Sequence, residues 1–151
     1  MATSTLLQKL DIAAEGFGAS TSHRRQVETF LAGGAIAAGD WVAFDTTKTG
    51  ADRVLNVIEA VGGATGTGLT CGVALEAATA GARVNVVVAG YAEGASVANA
   101  VAAAGVALVV DNTAPDGQAV AIAAGDLAPA CGVSLEAAAG NLCDVWVYKN
   151  F

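Results

Sequence analysis

Histidine occurs once in this sequence of 151 residues, as His23. A serine or cysteine nucleophile needs a base held rigidly beside it, and His23 stands in a polar, Ser- and Thr-rich leader that offers no fixed partner. One histidine also removes most transition-metal sites. Cysteine is scarce too, and Cys71, Cys131 and Cys143 lack the Cys-x-x-Cys spacing of a zinc knuckle. Positive charge is short: Lys and Arg number 7 against 14 Asp and Glu, for a net charge of −7 and a pI near 4.4. That balance excludes general affinity for nucleic acid, where basic patches must neutralise phosphates. No run approaches the roughly eighteen uninterrupted apolar residues of a membrane-spanning helix, and no export leader is recognisable, because Gln8, Lys9 and Asp11 break up Leu6, Leu7 and Leu10. A soluble protein with no membrane or nucleic-acid partner is expected.

Hydrophobic residues make up 54% of the chain, yet aromatics are only 5% and 19 glycines interrupt the apolar runs. The apolar content is mostly alanine and valine. From Phe30 onward it falls into short runs rich in β-branched residues and bounded by glycine or polar turns, the pattern of strands. In Trp41-Val42-Ala43-Phe44, Val42 and Phe44 point one way and Trp41 and Ala43 the other, the period of a half-buried strand. Asp45 to Gly50 reads as a turn, Val54 to Ile58 as a strand and Gly62 to Gly68 as a loop.

The most distinctive stretch is Cys71-Gly72-Val73-Ala74-Leu75-Glu76-Ala77-Ala78 followed by a valine-rich strand, because a near copy begins at Cys131. There the run is Cys131-Gly132-Val133-Ser134-Leu135-Glu136-Ala137-Ala138, and then Cys143, Val145 and Val147 stand where Val84, Val86 and Val88 stand in the first. The repeat extends upstream: Gly39 matches Gly105, Val42 and Phe44 match Leu108 and Val110, and Thr47 matches Thr113. Two units result, about 30 to 90 and 96 to 151, with Ser96 to Ala104 an extended or irregular connection. Repetition describes architecture, and no amphipathic helix longer than two or three turns is present. The expected fold class is all-β, a compact β-sandwich or barrel built from two repeated β units and preceded by an N-terminal arm of residues 1–29.

Templates for chemistry fit poorly. Gly62 to Gly68 lacks the lysine and following hydroxyl of a phosphate loop, and no helix follows it for a dinucleotide site. Glu76 and Glu136 occupy equivalent places and are the best paired-carboxylate candidates for acid and base work, but a duplicated turn duplicates its glutamate without any catalytic reason. Asp111-Asn112-Thr113 with Asp116-Gly117 offers oxygen ligands for calcium without the EF-hand pattern, and a plain turn explains it. Because the repeat puts Cys143 at an inward-facing strand position, three buried free thiols are expected. No enzyme activity, cofactor or metal is predicted.

His23-Arg24-Arg25 gathers positive side chains at the end of the arm, and reads either as a solvated charge cluster or as a docking point that pairs with carboxylates on a partner surface. A two-turn helix carrying Leu6, Leu7 and Leu10 is not stable alone in water, so an arm anchored by Leu7 and Phe17 and pinned by the arginines would order only against another chain.

The run Ala-Ile-Ala-Ala-Gly-Asp-Trp-Val-Ala-Phe-Asp at 35 to 45, with Gly-Val-Ala-Leu-Glu-Ala-Ala, its valine-rich strand and Gly90, resembles the head decoration, or capsid cement, proteins of tailed bacteriophages over residues 20 to 151. The resemblance implies a small β-rich virion protein, commonly homotrimeric, made in the host bacterial cytoplasm. It would sit on the capsid exterior, where it clamps major capsid subunits. It carries over no catalytic residue. Partner contacts are then expected from Leu7, Phe17, His23, Arg24 and Arg25, and from Trp41 or Trp146. The alternatives are a phage tail or fibre module, and a carbohydrate-binding or hydrolytic β domain using Glu76, Glu136 or Asp111.

Overall fold

The computed structural model describes residues 24–62, 69–98, 101–110, 115–124 and 129–151. In chain order the elements are β1 (Arg25–Ala32), β2 (Trp41–Phe44), α1 (Asp52–Leu55), β3 (Asn56–Glu59), β4 (Thr70–Ala74), β5 (Arg83–Ser96), β6 (Ala107–Val109), β7 (Val120–Ala121), β8 (Gly132–Ser134) and β9 (Leu142–Val147). The all-β expectation holds. Strand runs from β1 through β3, β2 and β4 to β5, and β5 pairs back onto β1, so these five strands close a barrel. The β1–β3 pairing is parallel and the others in the barrel are antiparallel. Closure leaves the barrel no unpaired edge to recruit a stray strand. Strands β9, β8, β6 and β7 follow β5 outside it.

The second unit repeats many of the first unit's bonds. Val42 lies opposite Gly72 and Leu108 opposite Gly132. The Cys71 thiol donates to the Val42 carbonyl at 3.4 Å, and the Cys131 thiol to the Leu108 carbonyl at 3.3 Å. Gly39 N–H donates to Ala74 O and Gly105 N–H to Ser134 O, each at 2.8 Å. The second half of β5 pairs with β9 as β1 pairs with the first half of β5. Even the parallel β1–β3 contact has its counterpart, a single bridge between Val97 and Ala119.

Two cores follow. Phe30, Val42, Val57, Cys71, Val84 and Val86 fill the barrel. Leu108, Val110, Cys131, Cys143, Val145 and Val147 form the second core, which also takes in Trp41, Ala43, Val73 and Val87 from the barrel's outer surface. Strand β2, expected to be half-buried, is thereby covered on both sides. Each fully buried valine contributes about 1.5 kcal/mol or somewhat more before chain entropy is counted.

Strand β5 serves both cores: alternation already sends Val87 to the second core, and past it the glycines re-phase the strand. Val84, Val86 and Val88 enter the barrel, while Ala92 and Ala95 join the second core. The change falls at Gly90 and Gly94, with φ of 90° and 61°, and at the register break between Ala92 and Ala95. Such backbone angles are strained for any residue with a Cβ.

Two boundaries differ from expectation. Residues 25–29, read as part of the arm, belong to β1 and pair with β5 from Arg25 opposite Gly90 to Thr29 opposite Asn85. Val54 and Leu55, read as strand, end the exposed turn α1, where the Asn56 side chain donates back to the Asp52 carbonyl at 2.9 Å. Their apolar side chains find no core and remain 55% and 52% exposed.

Candidate docking groove

The start of β1 and the end of β9 meet at one residue, since Gly90 pairs with Arg25 on β1 and with Val147 on β9. The approach is tight: a Cβ at position 90 would lie 2.1 Å from the Arg24 carbonyl oxygen and 2.9 Å from the Arg25 Cα. Only glycine permits it. Above this junction opens a shallow groove of about 610 Å³. Arg24, Arg25 and Gln26 form one wall and Trp146, Tyr148 and Lys149 the other.

Strand alternation decides what the groove displays. Cys143, Val145 and Val147 turn inward, so Trp146 turns out, 39% exposed. Tyr91 lies directly opposite it on β5. The Tyr91 hydroxyl donates to Asp144 Oδ2 at 2.7 Å, and Asp144 Oδ1 accepts the Gly94 N–H at 3.0 Å. Donation to that carboxylate, with burial, pushes the Tyr91 pKa up to about 12. The hydroxyl therefore stays protonated and holds the β5–β9 surface beneath Trp146 in place.

The opposite rim is tied by the chain end. Lys149 Nζ is 3.6 Å from Glu28 Oε1, which also accepts from the Gln26 amide at 2.8 Å. The same Nζ lies 5.2 Å from the centre of the Phe151 ring. Phe151 meets Phe44 edge-on at 5.1 Å between centroids, and Phe44 meets Phe30 at 6.1 Å. Arg24 and Arg25 both line the groove, and among the described residues neither side chain has an ion pair or hydrogen bond.

Three of the residues expected at a partner contact, Arg24, Arg25 and Trp146, are thus brought together. Trp41 is not among them. It is 0% exposed and belongs to the second core, because β2 is covered by the second unit; of the two tryptophans only Trp146 has surface to offer. Leu7, Phe17 and His23 lie outside the described residues. Gln26, Tyr148 and Lys149 were missed by sequence reasoning. Their signal was faint: Tyr148 closes the second repeat, and Lys149 is one of few cations.

Glu76 and Glu136 sit at equivalent places in the two repeat units. Glu76 Oε1 accepts the Asn85 N–H at 3.2 Å and the Asn85 side-chain amide at 2.9 Å, and Glu136 Oε1 accepts the Asp144 N–H at 3.3 Å. Asn85 and Asp144 are equivalent in the repeat, so each glutamate closes its own strand–turn–strand unit. Asp111, Asn112 and Thr113 lie outside the described residues. Among the described residues no cluster of three His, Cys, Asp or Glu side chains is placed to hold a metal ion. Cys71, Cys131 and Cys143 are free and buried. Burial pushes the Cys71 and Cys131 thiols up to about 12 and raises that of Cys143.

Similarity to known proteins lies in the fold. No protein-family model matches the sequence, and no curated protein matches it. Among solved structures, the chain is similar to the head fiber gp8.5 N base in bacteriophage phi29, with a TM-score of 0.53 and 19% identity over 82% of this chain and 94% of that one.

Proposed function

We propose that the chain is a structural component of a bacteriophage head that sits on the capsid exterior and reinforces contacts between major capsid subunits. The observation that supports this reading is the architecture shared with a phage head fibre base along nearly all of that solved chain. The role is non-catalytic: the paired glutamates are spent on the two repeat units, and the thiols are buried. Outward-facing apolar side chains, including Val27 and Leu31 at 40% exposure each on β1, suit flat contacts between copies in a homotrimer.

Stabilisation arises by mass action. A protein that binds only the assembled lattice lowers the lattice's free energy by an amount set by its affinity and occupancy, and many equivalent copies add up. A second reading has a specific observation behind it, that the similar phi29 protein is a head fiber base: the domain would be the base by which a fibre is fixed to the head.

One experiment separates them. Purified protein is mixed with capsids lacking it, and co-sedimentation and capsid melting are measured. The cement reading expects co-sedimentation with a raised melting temperature, and a fibre base expects co-sedimentation with melting unchanged. Absence of co-sedimentation overturns both. Deleting residues 2–23, which leaves β1 whole, is expected to weaken attachment and leave the melting of the β domain itself unchanged.

A further inference from the structure

The groove at Gly90 is a cationic patch on an acidic protein. Arg24, Arg25 and Lys149 are three of the 7 Lys and Arg in a chain of net charge −7, and all three line it. Lys149 is engaged with Glu28, but both arginines are uncommitted among the described residues. Across from them stand Trp146 and Tyr148, 39% and 40% exposed. Each pairs a broad apolar ring with a polar tip, the kind of side chain enriched at contact surfaces.

We infer that this groove docks a short, acidic, extended peptide segment of a partner protein. Carboxylates of the segment pair with Arg24 and Arg25, and an apolar side chain lies against Trp146. The inference rests on the proposed head role only for the partner being a capsid subunit. Guanidinium forks match carboxylates two bonds at a time, and such charge-assisted bonds are among the strong ones. Arg, Trp and Tyr are also the residue types that dominate binding energy when they cluster at the centre of an interface. A long polyanion fits worse, because beyond the groove its phosphates would meet the surplus of negative charge carried by the rest of the chain. A short acidic segment presents its charge only where the cations are.

The test uses a fluorescent synthetic peptide of glutamates flanking one phenylalanine, its lysine-for-glutamate counterpart, and an oligothymidylate, titrated onto the full-length protein by anisotropy. The expected result is binding of the acidic peptide alone, weakened by salt. Arg24→Glu with Arg25→Glu is expected to reduce affinity by about a hundredfold or more, and Trp146→Ala by roughly tenfold. Circular dichroism melting checks that each variant is folded, and Lys149→Glu, on the opposite wall, provides an independent charge reversal expected to weaken binding. Equal binding of the lysine peptide, tighter binding of the oligothymidylate, or affinity unchanged in the folded variants overturns the inference. The same variants are then mixed with capsids. Wild-type attachment retained by the charge-reversed protein removes the groove from the capsid contact while the head role stands. Loss of wild-type attachment, with peptide binding intact, removes the head role and leaves the groove.

Discussion

The Trp41 ring lies against Gly132: a Cβ at position 132 would be 3.0 Å from Trp41 Cη2 and 2.7 Å from the Trp146 carbonyl oxygen. Trp41 belongs to the barrel and Gly132 to the second unit, so this contact joins the two. The Trp146 oxygen is backbone in a paired strand and has little freedom to move. Gly132→Ala is therefore expected to destabilise the fold by about 2 kcal/mol, as overpacking does. Trp41→Ala, which empties the same space, is expected to cost about 3–5 kcal/mol. Denaturant titration followed by tryptophan fluorescence measures both, and a Gly132→Ala variant as stable as wild type would show that the two units are not in close contact there.

The thiols should be inert while the protein is folded. With Cys71 and Cys131 pushed up to about 12, only about one part in ten thousand is thiolate near pH 8, and the thiolate is the reactive form. Burial blocks access as well. A chromogenic disulfide reagent at about pH 8 is expected to label none of the three cysteines in native protein and all three in denaturant. Rapid labelling of native Cys71 would contradict its place inside the barrel.

The repeat was legible because a turn-and-strand unit constrains its letters. Gly72 and Gly132 each face a backbone carbonyl too near for a side chain, and the alignment of Val42 with Leu108 reappears as equivalent thiol hydrogen bonds. Strand periodicity likewise gave the inward set Val84, Val86 and Val88. What periodicity could not give was the second use of the barrel wall. Trp41 and Ala43 alternate correctly with Val42 and Phe44, but alternation says only that two faces exist. Whether the far face meets solvent or another unit is a long-range matter, and that is why Trp41 was read as a surface contact. The groove was half legible: Arg24, Arg25 and Trp146 stood out as residues, whereas their meeting depends on the Gly90 approach and on pairings across more than fifty positions.

Acidity should stabilise one junction and weaken another. Asp40 and Glu59 form a hydrogen-bonded carboxyl pair, and the backbone N–H of Ala37 donates to Asp40 Oδ2 at 2.7 Å. Burial raises both pKa values, and the charges of Asp40 and of Asp116 raise Glu59 further. A raised folded pKa means that the native state keeps a proton the unfolded chain has released. The stability it gives is complete below the ordinary carboxylate range and is lost as pH climbs through the folded value. Asp45 runs the other way: the Thr47 hydroxyl and N–H, with Lys48 nearby, hold its pKa down, so its contribution is lost as pH falls through the lowered value. Glu59→Gln keeps a donor toward Asp40 without the charge. It is expected to raise the melting temperature at about pH 7 by a few degrees and to flatten the decline as pH rises above the ordinary carboxylate range. A variant with the same pH profile as wild type would remove Glu59 as the source.

Two glycines allow backbone strain to be told apart from crowding. Gly90 and Gly105 have similar positive φ, 90° and 83°. A Cβ at Gly105 would meet nothing within 4 Å, whereas one at Gly90 would drive into the Arg24 carbonyl. Gly105→Ala therefore bears only the conformational penalty of a side chain at positive φ, about 1 kcal/mol. Gly90→Ala bears that and must also push the start of β1 away from β5, so a loss of about 2–4 kcal/mol is expected. Because Arg24 and Arg25 ride on the displaced segment, Gly90→Ala should weaken acidic-peptide binding at temperatures where the variant is still folded, while Gly105→Ala should bind as wild type does. Equal affinity in both variants would mean that the groove does not depend on the close meeting of β1 and β9 at Gly90.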